Sequence, residues 1–146
     1  MTTQSYIKYR AEYKYQLAQN YQIHTHIKTD IHIVTEFIDL TEDGILILKS
    51  GYAWDGSSGP VRDKPENMRA SLVHDALYQL MRHNKLNITT HRKQADILFK
   101  DICKEDGVYP FVAQGYYMML RRFGRLYASP TKRNAIKYAP QVNTTP

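Results

Sequence analysis

One stretch of the chain decides its fold, and it reads Met68-Arg69-Ala70-Ser71-Leu72-Val73-His74-Asp75-Ala76-Leu77-Tyr78-Gln79-Leu80-Met81. Its apolar residues recur with a period of about 3.6 residues, which predicts an α-helix with one buried stripe. His74 and Tyr78 stand one turn apart on the same face of that helix, and Asp75 points about 100° away from His74. Because an unpaired imidazole or carboxylate is costly to bury, we expect other parts of the chain to supply partners for these side chains.

The composition is typical of one globular domain. The chain has 146 residues, of which 42% are hydrophobic and 23% charged, and this is enough for a core of its own. It contains no apolar run near the roughly 18 residues of a transmembrane helix, and its N-terminus lacks the apolar centre of a signal peptide. The single cysteine, Cys103, excludes an internal disulfide and cysteine-rich zinc modules. These features predict an intracellular protein without a transmembrane segment.

The formal net charge of +6 favours an anionic partner such as nucleic acid, anionic lipid or a phosphorylated metabolite. The basic residues are spread along the chain, with one cluster at Arg121, Arg122 and Arg125 and no run of five or more. Nucleic-acid binding is therefore not favoured, because it requires a concentrated basic patch.

The first third of the chain has the alternating pattern of β-strands. Aromatic or apolar residues alternate with polar ones in three segments, and a short apolar run forms a fourth; they are residues 13–17, 21–27, 31–37 and 45–48. Thr41-Glu42-Asp43-Gly44 is a hairpin signal, with Gly44 at the position that requires a positive φ. The four segments predict an antiparallel meander.

Three histidines of these strands, His24, His26 and His32, have two interpretations. A neighbouring strand could bring them together as metal ligands. No carboxylate or cysteine lies at a convincing ligand spacing, so we expect them instead on the polar, solvated face of the sheet.

A glycine-rich stretch follows the predicted sheet and reads Gly51-Tyr52-Ala53-Trp54-Asp55-Gly56-Ser57-Ser58-Gly59-Pro60. Its glycines, serines and proline indicate irregular backbone with exposed amides or carbonyls. It matches neither a Walker loop nor a dinucleotide-binding fingerprint. Two interpretations remain open, an ordinary connection between strand and helix or a functional loop.

Two more helices are predicted after the first. Residues 89–106 carry apolar residues at helical spacing, and Cys103 is predicted to be a small core side chain of this helix. Residues 110–123 form the third helix, which ends at Gly124.

The remaining segment, residues 125–146, lacks apolar periodicity and is predicted to be a basic extended arm or tail. Residues 1–124 are predicted to form a single α+β domain, in which a four-stranded antiparallel meander precedes three helices.

Asp96 lies beside the apolar stripe of the second predicted helix. If the first two helices are antiparallel about a turn near residue 86, Asp96 and His74 lie at similar distances from the turn and can face each other. An Asp–His pair fixes the imidazole tautomer and stabilises its protonated form, as a general base requires. Asp75 would then point towards the glycine-rich loop, where Asp55 and loop carbonyls could complete an oxygen-only site for a hard cation such as calcium.

The order of these residues resembles a family of uncharacterised phage and prophage proteins. The resemblance runs from Gly51 to Gly124 and rests on three motifs, Asp55-Gly56-Ser57-Ser58-x-Pro60, His74-Asp75-x-x-Tyr78 and Ala95-Asp96-x-x-Phe99. It implies synthesis in a host cytoplasm, association with a virion, and a host or virion protein as partner.

The same motifs also resemble those of the small secreted phospholipases A2 of bacteria and fungi. Those enzymes have a His-Asp-x-x-Tyr helix, a calcium-binding loop before it, and an aspartate on an antiparallel helix that orients the histidine. By this resemblance His74 is the base that activates water, Asp96 orients it and Tyr78 supports the hydrogen-bond network. Asp55 and Asp75 match the calcium ligands. The chain departs from those enzymes in its single cysteine and its N-terminal sheet.

Three interpretations of the function stay open. The first is a calcium-assisted hydrolase of a lipid or another ester, in which calcium polarises the carbonyl and His74 deprotonates water. In the second, His74, Asp75 and Asp96 form a buried polar network that only locks two helices together. The third is a phage structural or host-interaction protein without turnover that uses its basic surface.

Overall fold

The computed structural model describes residues 15–56 and 61–130, together with the backbone of two short strands at residues 7–9 and 137–139. Antiparallel strands come first and helices follow, so the predicted α+β class is confirmed. Among the described residues, no helix is long and apolar enough to cross a membrane.

The described strands are β1 (Ile7–Tyr9), β2 (Tyr15–Gln16), β3 (Tyr21–His24), β4 (Ile33–Val34), β5 (Ile38–Leu40), β6 (Ile45–Leu48), β7 (Ala53–Trp54) and β8 (Lys137–Ala139). The described helices are α1 (Pro65–Arg82), α2 (Ile88–Glu105), α3 (Pro110–Phe123) and α4 (Arg125–Ala128). The three long helices lie where the apolar period predicted them, because that period reflects the buried stripe of each.

The largest described sheet has four antiparallel strands in the order β3-β6-β5-β4. Strands β4, β5 and β6 follow one another as in a meander, but β3 pairs with β6 and not with β4. The predicted first strand belongs to another sheet, because Tyr15 and Gln16 pair with Trp54 and Ala53 of β7. Alternation along a strand identifies its buried face and leaves its neighbour undetermined, so the order of the strands could not be predicted from it.

The segment predicted as one strand over residues 31–37 is divided by a turn. Strand β4 holds only Ile33 and Val34, and the chain then turns at Thr35. The Thr35 hydroxyl donates to the Ile38 carbonyl at 2.8 Å and accepts from the Ile38 N–H at 2.9 Å. A side chain that satisfies backbone groups in this way offers the chain an alternative to a continuous strand.

The hairpin at Gly44 and the surface position of the histidines agree with the sequence. Gly44 has a φ of 99°, and a Cβ at this position would lie 2.9 Å from the Ile27 carbonyl oxygen. His24, His26 and His32 are all exposed as expected, but only His24 lies in a strand, because His26 follows β3 with a φ of 62° and His32 precedes β4.

Helices α1 and α2 are antiparallel. Arg69, in the second turn of α1, binds Glu105 at 2.7 Å and Asp106 at 2.9 Å at the end of α2. The turn between the helices contains Asn84, which has a φ of 58°. Leu86 in the same turn is buried. The antiparallel arrangement on which the Asp96 prediction depends is therefore present.

The sheets and the helix pair share one apolar core. Leu40, Leu46 and Leu48 come from the main sheet and are fully buried, and they belong to the same cluster as Leu77 and Phe99 of the helices. Cys103 is also fully buried, and burial raises the pKa of its thiol to about 12. It is the core side chain that the helical spacing predicted.

The predicted C-terminal arm contains two described elements. Helix α4 occupies its first four residues and buries Ala128 completely. Strand β8 pairs antiparallel with β1. Residues 131–136 and 140–146 of the predicted arm lie outside the described residues, as does Tyr13 of the predicted first strand.

Candidate functional site

The structure brings together His74, Tyr78 and Asp96, which the resemblance to the phospholipases places in one hydrogen-bond network, whereas Asp75 bonds Tyr52 instead. His74 Nε2 lies 2.8 Å from Asp96 Oδ1, and the Tyr78 hydroxyl donates to the same oxygen at 2.6 Å. Asp96 is 0% exposed and His74 is 2% exposed. Helix α1 thus presents an imidazole and a phenol on one face, and α2 supplies the carboxylate that satisfies both.

The second oxygen of Asp96 is held by two arginines. Arg121 of α3 donates to Oδ2 at 2.9 Å, and Arg92 lies one turn before Asp96 with Nη1 3.5 Å from Oδ2. Burial by itself would raise the pKa of Asp96, but hydrogen bonds from His74, Tyr78 and Arg121 outweigh it and lower the pKa below its usual value. The carboxylate is therefore ionised in the folded protein.

Arg92 also ties the network to the C-terminal end of α3. Its Nη1 donates to the Leu120 carbonyl at 3.0 Å, and its Nη2 donates to the Arg121 carbonyl at 3.2 Å. The Leu120 carbonyl also accepts from the Gly124 N–H at 2.8 Å, so Arg92 adds a second hydrogen bond to this carbonyl in the last turn of α3. Arg92 thus contacts both Asp96 and the last turn of α3, and so helps to fix how α3 packs beside the site.

Gly124 allows α3 to end against the site. A Cβ at this position would lie 2.6 Å from the Tyr78 hydroxyl and 2.5 Å from the Leu120 carbonyl oxygen. The absence of a side chain therefore lets the backbone approach the hydroxyl that binds Asp96.

The sequence prediction did not include Arg92, Arg121 or Gly124 in the site. Arg92 could have been found, because it precedes Asp96 by four residues and thus lies on the same helix face. Arg121 was visible only as part of a basic cluster, since no local pattern determines where α3 packs. Gly124 was interpreted only as the end of a helix.

The His74 ring has one nitrogen bound and one nitrogen without a described partner. It packs against Tyr78 with ring centroids 4.0 Å apart and against Phe99 at 5.3 Å. Nδ1 makes no hydrogen bond to a described residue, whereas Nε2 faces Asp96.

Asp75 lies beside this network in a half-buried position. The Tyr52 hydroxyl is 3.4 Å from Asp75 Oδ2 and 3.1 Å from Gln79 Oε1. Burial raises the pKa of Asp75; the positive charge of Arg82 opposes this effect, and repulsion from Asp55 adds to it. Asp75 is thus a carboxylate whose charge is poorly stabilised by its surroundings.

Asp55 is exposed, next to the buried Trp54, whose indole N–H donates to Ser71 Oγ at 3.2 Å. The negative charge of Asp55 is one of the smaller influences that raise the pKa of Asp75. Ser57, Ser58 and Pro60 of the same motif lie outside the described residues.

Asp55 and Asp75 carry carboxylate oxygens, which are one of the ligand types that calcium prefers. Calcium prefers six to eight oxygen ligands, which include carboxylates, backbone carbonyls and water. The described residues contain no group of three or more His, Cys, Asp or Glu side chains suited to a metal. Asp55 and Asp75 would thus supply two carboxylates, and the other ligands would have to be carbonyl or water oxygens.

The fold and the site define a small α+β protein in which an antiparallel helix pair buries a His–Asp–Tyr network. The chain belongs to the family described as "Protein of unknown function (DUF1353)", whose model matches residues 7–120. The expected membership of an uncharacterised family is thereby confirmed. Neither a curated protein nor a solved structure matches the chain.

Proposed function

We propose that this protein is a calcium-assisted hydrolase of a lipid or another ester. The observation that supports the proposal is the 2.8 Å contact between His74 Nε2 and Asp96 Oδ1, which leaves Nδ1 without a described hydrogen-bond partner. A carboxylate that accepts a hydrogen bond from one ring nitrogen fixes the tautomer in which the other nitrogen can take up a proton. The resemblance of the motifs to those of the small phospholipases A2 supports the same assignment.

The residues around the imidazole have separate roles in this proposal. Nδ1 of His74 takes the proton from an attacking water, and Asp96 stabilises the positive charge that then forms on the ring. Tyr78 is a positioning residue, because its hydroxyl shares the oxygen that binds His74. Arg92 and Arg121 keep Asp96 ionised, so the carboxylate does not remove the imidazole proton.

Asp55 and Asp75 would hold the calcium ion. A bound cation would offset the mutual repulsion that contributes to the raised pKa of Asp75. Calcium would supply polarisation of the ester carbonyl. Tyr52 would orient the Asp75 carboxylate through its hydroxyl.

A hydrolysis assay tests the proposal. The substrates are a fluorogenic phospholipid and a simple ester in the presence of calcium, and the proteins are the wild type, His74→Ala and His74→Gln. The glutamine amide can still donate to Asp96 but cannot act as a base, so it separates catalysis from folding. We expect both variants to lose at least about 100-fold in rate.

The matched control is His32→Ala, which removes an exposed histidine just before β4 and should hydrolyse the substrates like the wild type. Equal background rates for the wild type and both His74 variants would end the proposal.

The complete burial of Asp96 between two arginines favours a second candidate function. In it the protein is a phage structural or host-interaction protein without turnover, and the network only joins α1, α2 and α3. His74→Ala and Asp96→Ala should then lower the free energy of unfolding by roughly 1–3 kcal/mol for each orphaned partner. This candidate requires in addition that the wild type hydrolyses neither substrate.

A further inference from the structure

The side of α3 that faces solvent carries large apolar side chains. Phe111 is 77% exposed, Met118 is 62% exposed and Met119 is 40% exposed. Together with Gly115 and Arg122 they occupy one side of the helix, at spacings of three, four and seven residues. We call these five residues the α3 outer face.

The opposite side of α3 is also apolar. Ala113 and Leu120 are buried there, and Val112 and Tyr116 pack against the core. A helix that is apolar on both sides is normally covered on both sides. Contiguous exposed apolar side chains mark surfaces that bind another molecule.

The charge around the outer face restricts what can bind it. No aspartate or glutamate follows Asp106 in the chain. Arg122 and Arg125 are exposed, and neither forms an ion pair with a carboxylate of the described residues. A second copy of the chain packed face to face would bring like charges together, whereas an anionic partner would be attracted.

The apolar side chains distinguish a lipid surface from other anionic partners. Tyr109 is 72% exposed and stacks on Phe111 with ring centroids 6.0 Å apart, and Leu126 of α4 is 61% exposed. Aromatic, methionine and leucine side chains enter the boundary between headgroups and acyl chains, while arginines bind the lipid phosphates. The phosphate backbone of a nucleic acid offers no comparable apolar environment.

We propose that the α3 outer face, with Arg125 and Leu126 of α4, docks onto an anionic lipid bilayer. Phe111, Met118 and Leu126 enter the interface, and Arg122 and Arg125 bind headgroup phosphates. Docking of this face involves neither His74 nor Asp96. The docking proposal therefore does not depend on whether the protein hydrolyses an ester.

Flotation of the intact protein with vesicles tests this docking. We expect binding to vesicles of phosphatidylcholine mixed with phosphatidylglycerol, and much weaker binding to phosphatidylcholine alone. Arg122→Gln with Arg125→Gln should lower the partition coefficient by about 30-fold, because each basic residue near an anionic surface contributes about 1 kcal/mol. Phe111→Ser with Met118→Ser should lower it by at least about tenfold.

Matched substitutions elsewhere on the surface control for general effects. Ile31→Ser with Val34→Ser removes two apolar side chains, 66% and 60% exposed, in and just before β4. Lys28→Gln with Lys85→Gln removes two exposed positive charges, and His74→Gln alters the hydrolytic site. These three proteins should bind vesicles like the wild type.

Several results would overturn the docking. They are failure to bind the anionic vesicles, equal binding to both kinds of vesicle, and equal effects of the control substitutions. Sedimentation that shows a dimer, which Phe111→Ser with Met118→Ser converts to a monomer, would assign the face to a second copy. Binding to duplex DNA without binding to vesicles would assign it to nucleic acid.

Discussion

At the residue scale, the Asp96 carboxylate accepts hydrogen bonds from both helices beside it and from its own helix. His74 and Tyr78 reach it from α1, Arg121 from α3 and Arg92 from α2. These donors hold the pKa of Asp96 below its usual value in spite of burial. The network should therefore stabilise the folded state only while this carboxylate is ionised.

Asp96→Asn should show this dependence on pH. Because the folded pKa lies below the unfolded value of 3.8, the stabilisation is complete above pH 3.8 and is lost as the pH falls through the folded pKa. Denaturant unfolding at neutral pH should show the variant less stable by about 3–5 kcal/mol, since the buried Arg92 guanidinium and the partly exposed Arg121 guanidinium lose their counter-charge. The difference in free energy of unfolding between the two proteins should shrink in acid. If it stays constant down to the lowest pH at which both are folded, the ionised Asp96 carboxylate does not stabilise the fold.

Asp75→Asn should behave in the opposite way. The folded pKa of Asp75 is raised, mainly by burial, so the folded state loses stability as the pH rises from 3.8 through that pKa. The asparagine variant should then be more stable than the wild type at neutral pH and equally stable in acid. Thermal unfolding at both pH values measures this, with the exposed Asp30→Asn as the control that should change neither value.

Part of the site could be predicted from the sequence because it depends on local geometry. The helical period places His74 and Tyr78 on one face, and the short turn sets Asp96 opposite them. The partners of Asp96 Oδ2 could not be predicted from local geometry alone. Arg121 reaches the site only through the packing of α3, which depends on contacts between residues far apart in the chain.

At the element scale, Gly124 connects the end of α3 to the site. Gly124→Ala should lower the melting temperature, because its Cβ would overlap the Tyr78 hydroxyl at 2.6 Å and displace it from Asp96. The matched control is Gly115→Ala, where no atom lies within 4 Å of the new Cβ and where alanine should raise helix stability by up to about 1 kcal/mol.

A double-mutant cycle with Tyr78→Phe isolates this contact. Part of the overlap disappears with the hydroxyl, so Gly124→Ala should cost less in the Tyr78→Phe background than in the wild type. Strictly additive effects on the free energy of unfolding would show that Gly124 does not act through Tyr78.

The strands show where prediction by element was insufficient. Alternation correctly marked the segments around β3 and β6, and Gly44 correctly marked the hairpin that joins β5 to β6. It could not show that β3 lies beside β6, or that Tyr15 leaves the main sheet to pair with Trp54. Such pairings depend on the whole core, and one strand's pattern does not contain them.

At the scale of the whole molecule, Arg69 joins the sheet to the helix pair. It donates to the Tyr21 hydroxyl of β3 at 3.1 Å. It also binds Glu105 and Asp106 at the C-terminal end of α2. Arg69→Met keeps much of the aliphatic length and removes the charge. We expect it to lower the free energy of unfolding by roughly 1–2 kcal/mol. Charge-assisted hydrogen bonds to partly buried groups contribute more stability than an ion pair between exposed side chains.

Lys104→Met provides the comparison for Arg69. Lys104 lies 3.9 Å from Asp101, and both side chains are about half exposed. Its loss should change the free energy of unfolding by less than about 0.5 kcal/mol. If Arg69→Met and Lys104→Met lower the free energy of unfolding equally, the contacts of Arg69 do not stabilise the packing of the sheet on the helices.

The calcium dependence of hydrolysis tests the central claim, which is that His74 and the carboxylates Asp55 and Asp75 act together on an ester. The rate of hydrolysis of a fluorogenic phospholipid is measured during a calcium titration for the wild type and for folded Asp75→Asn. We expect the wild-type rate to rise with calcium and to return to background in chelator, while the variant stays near background throughout. A rate that is the same with calcium and with chelator, or the same in both proteins, would contradict the claim.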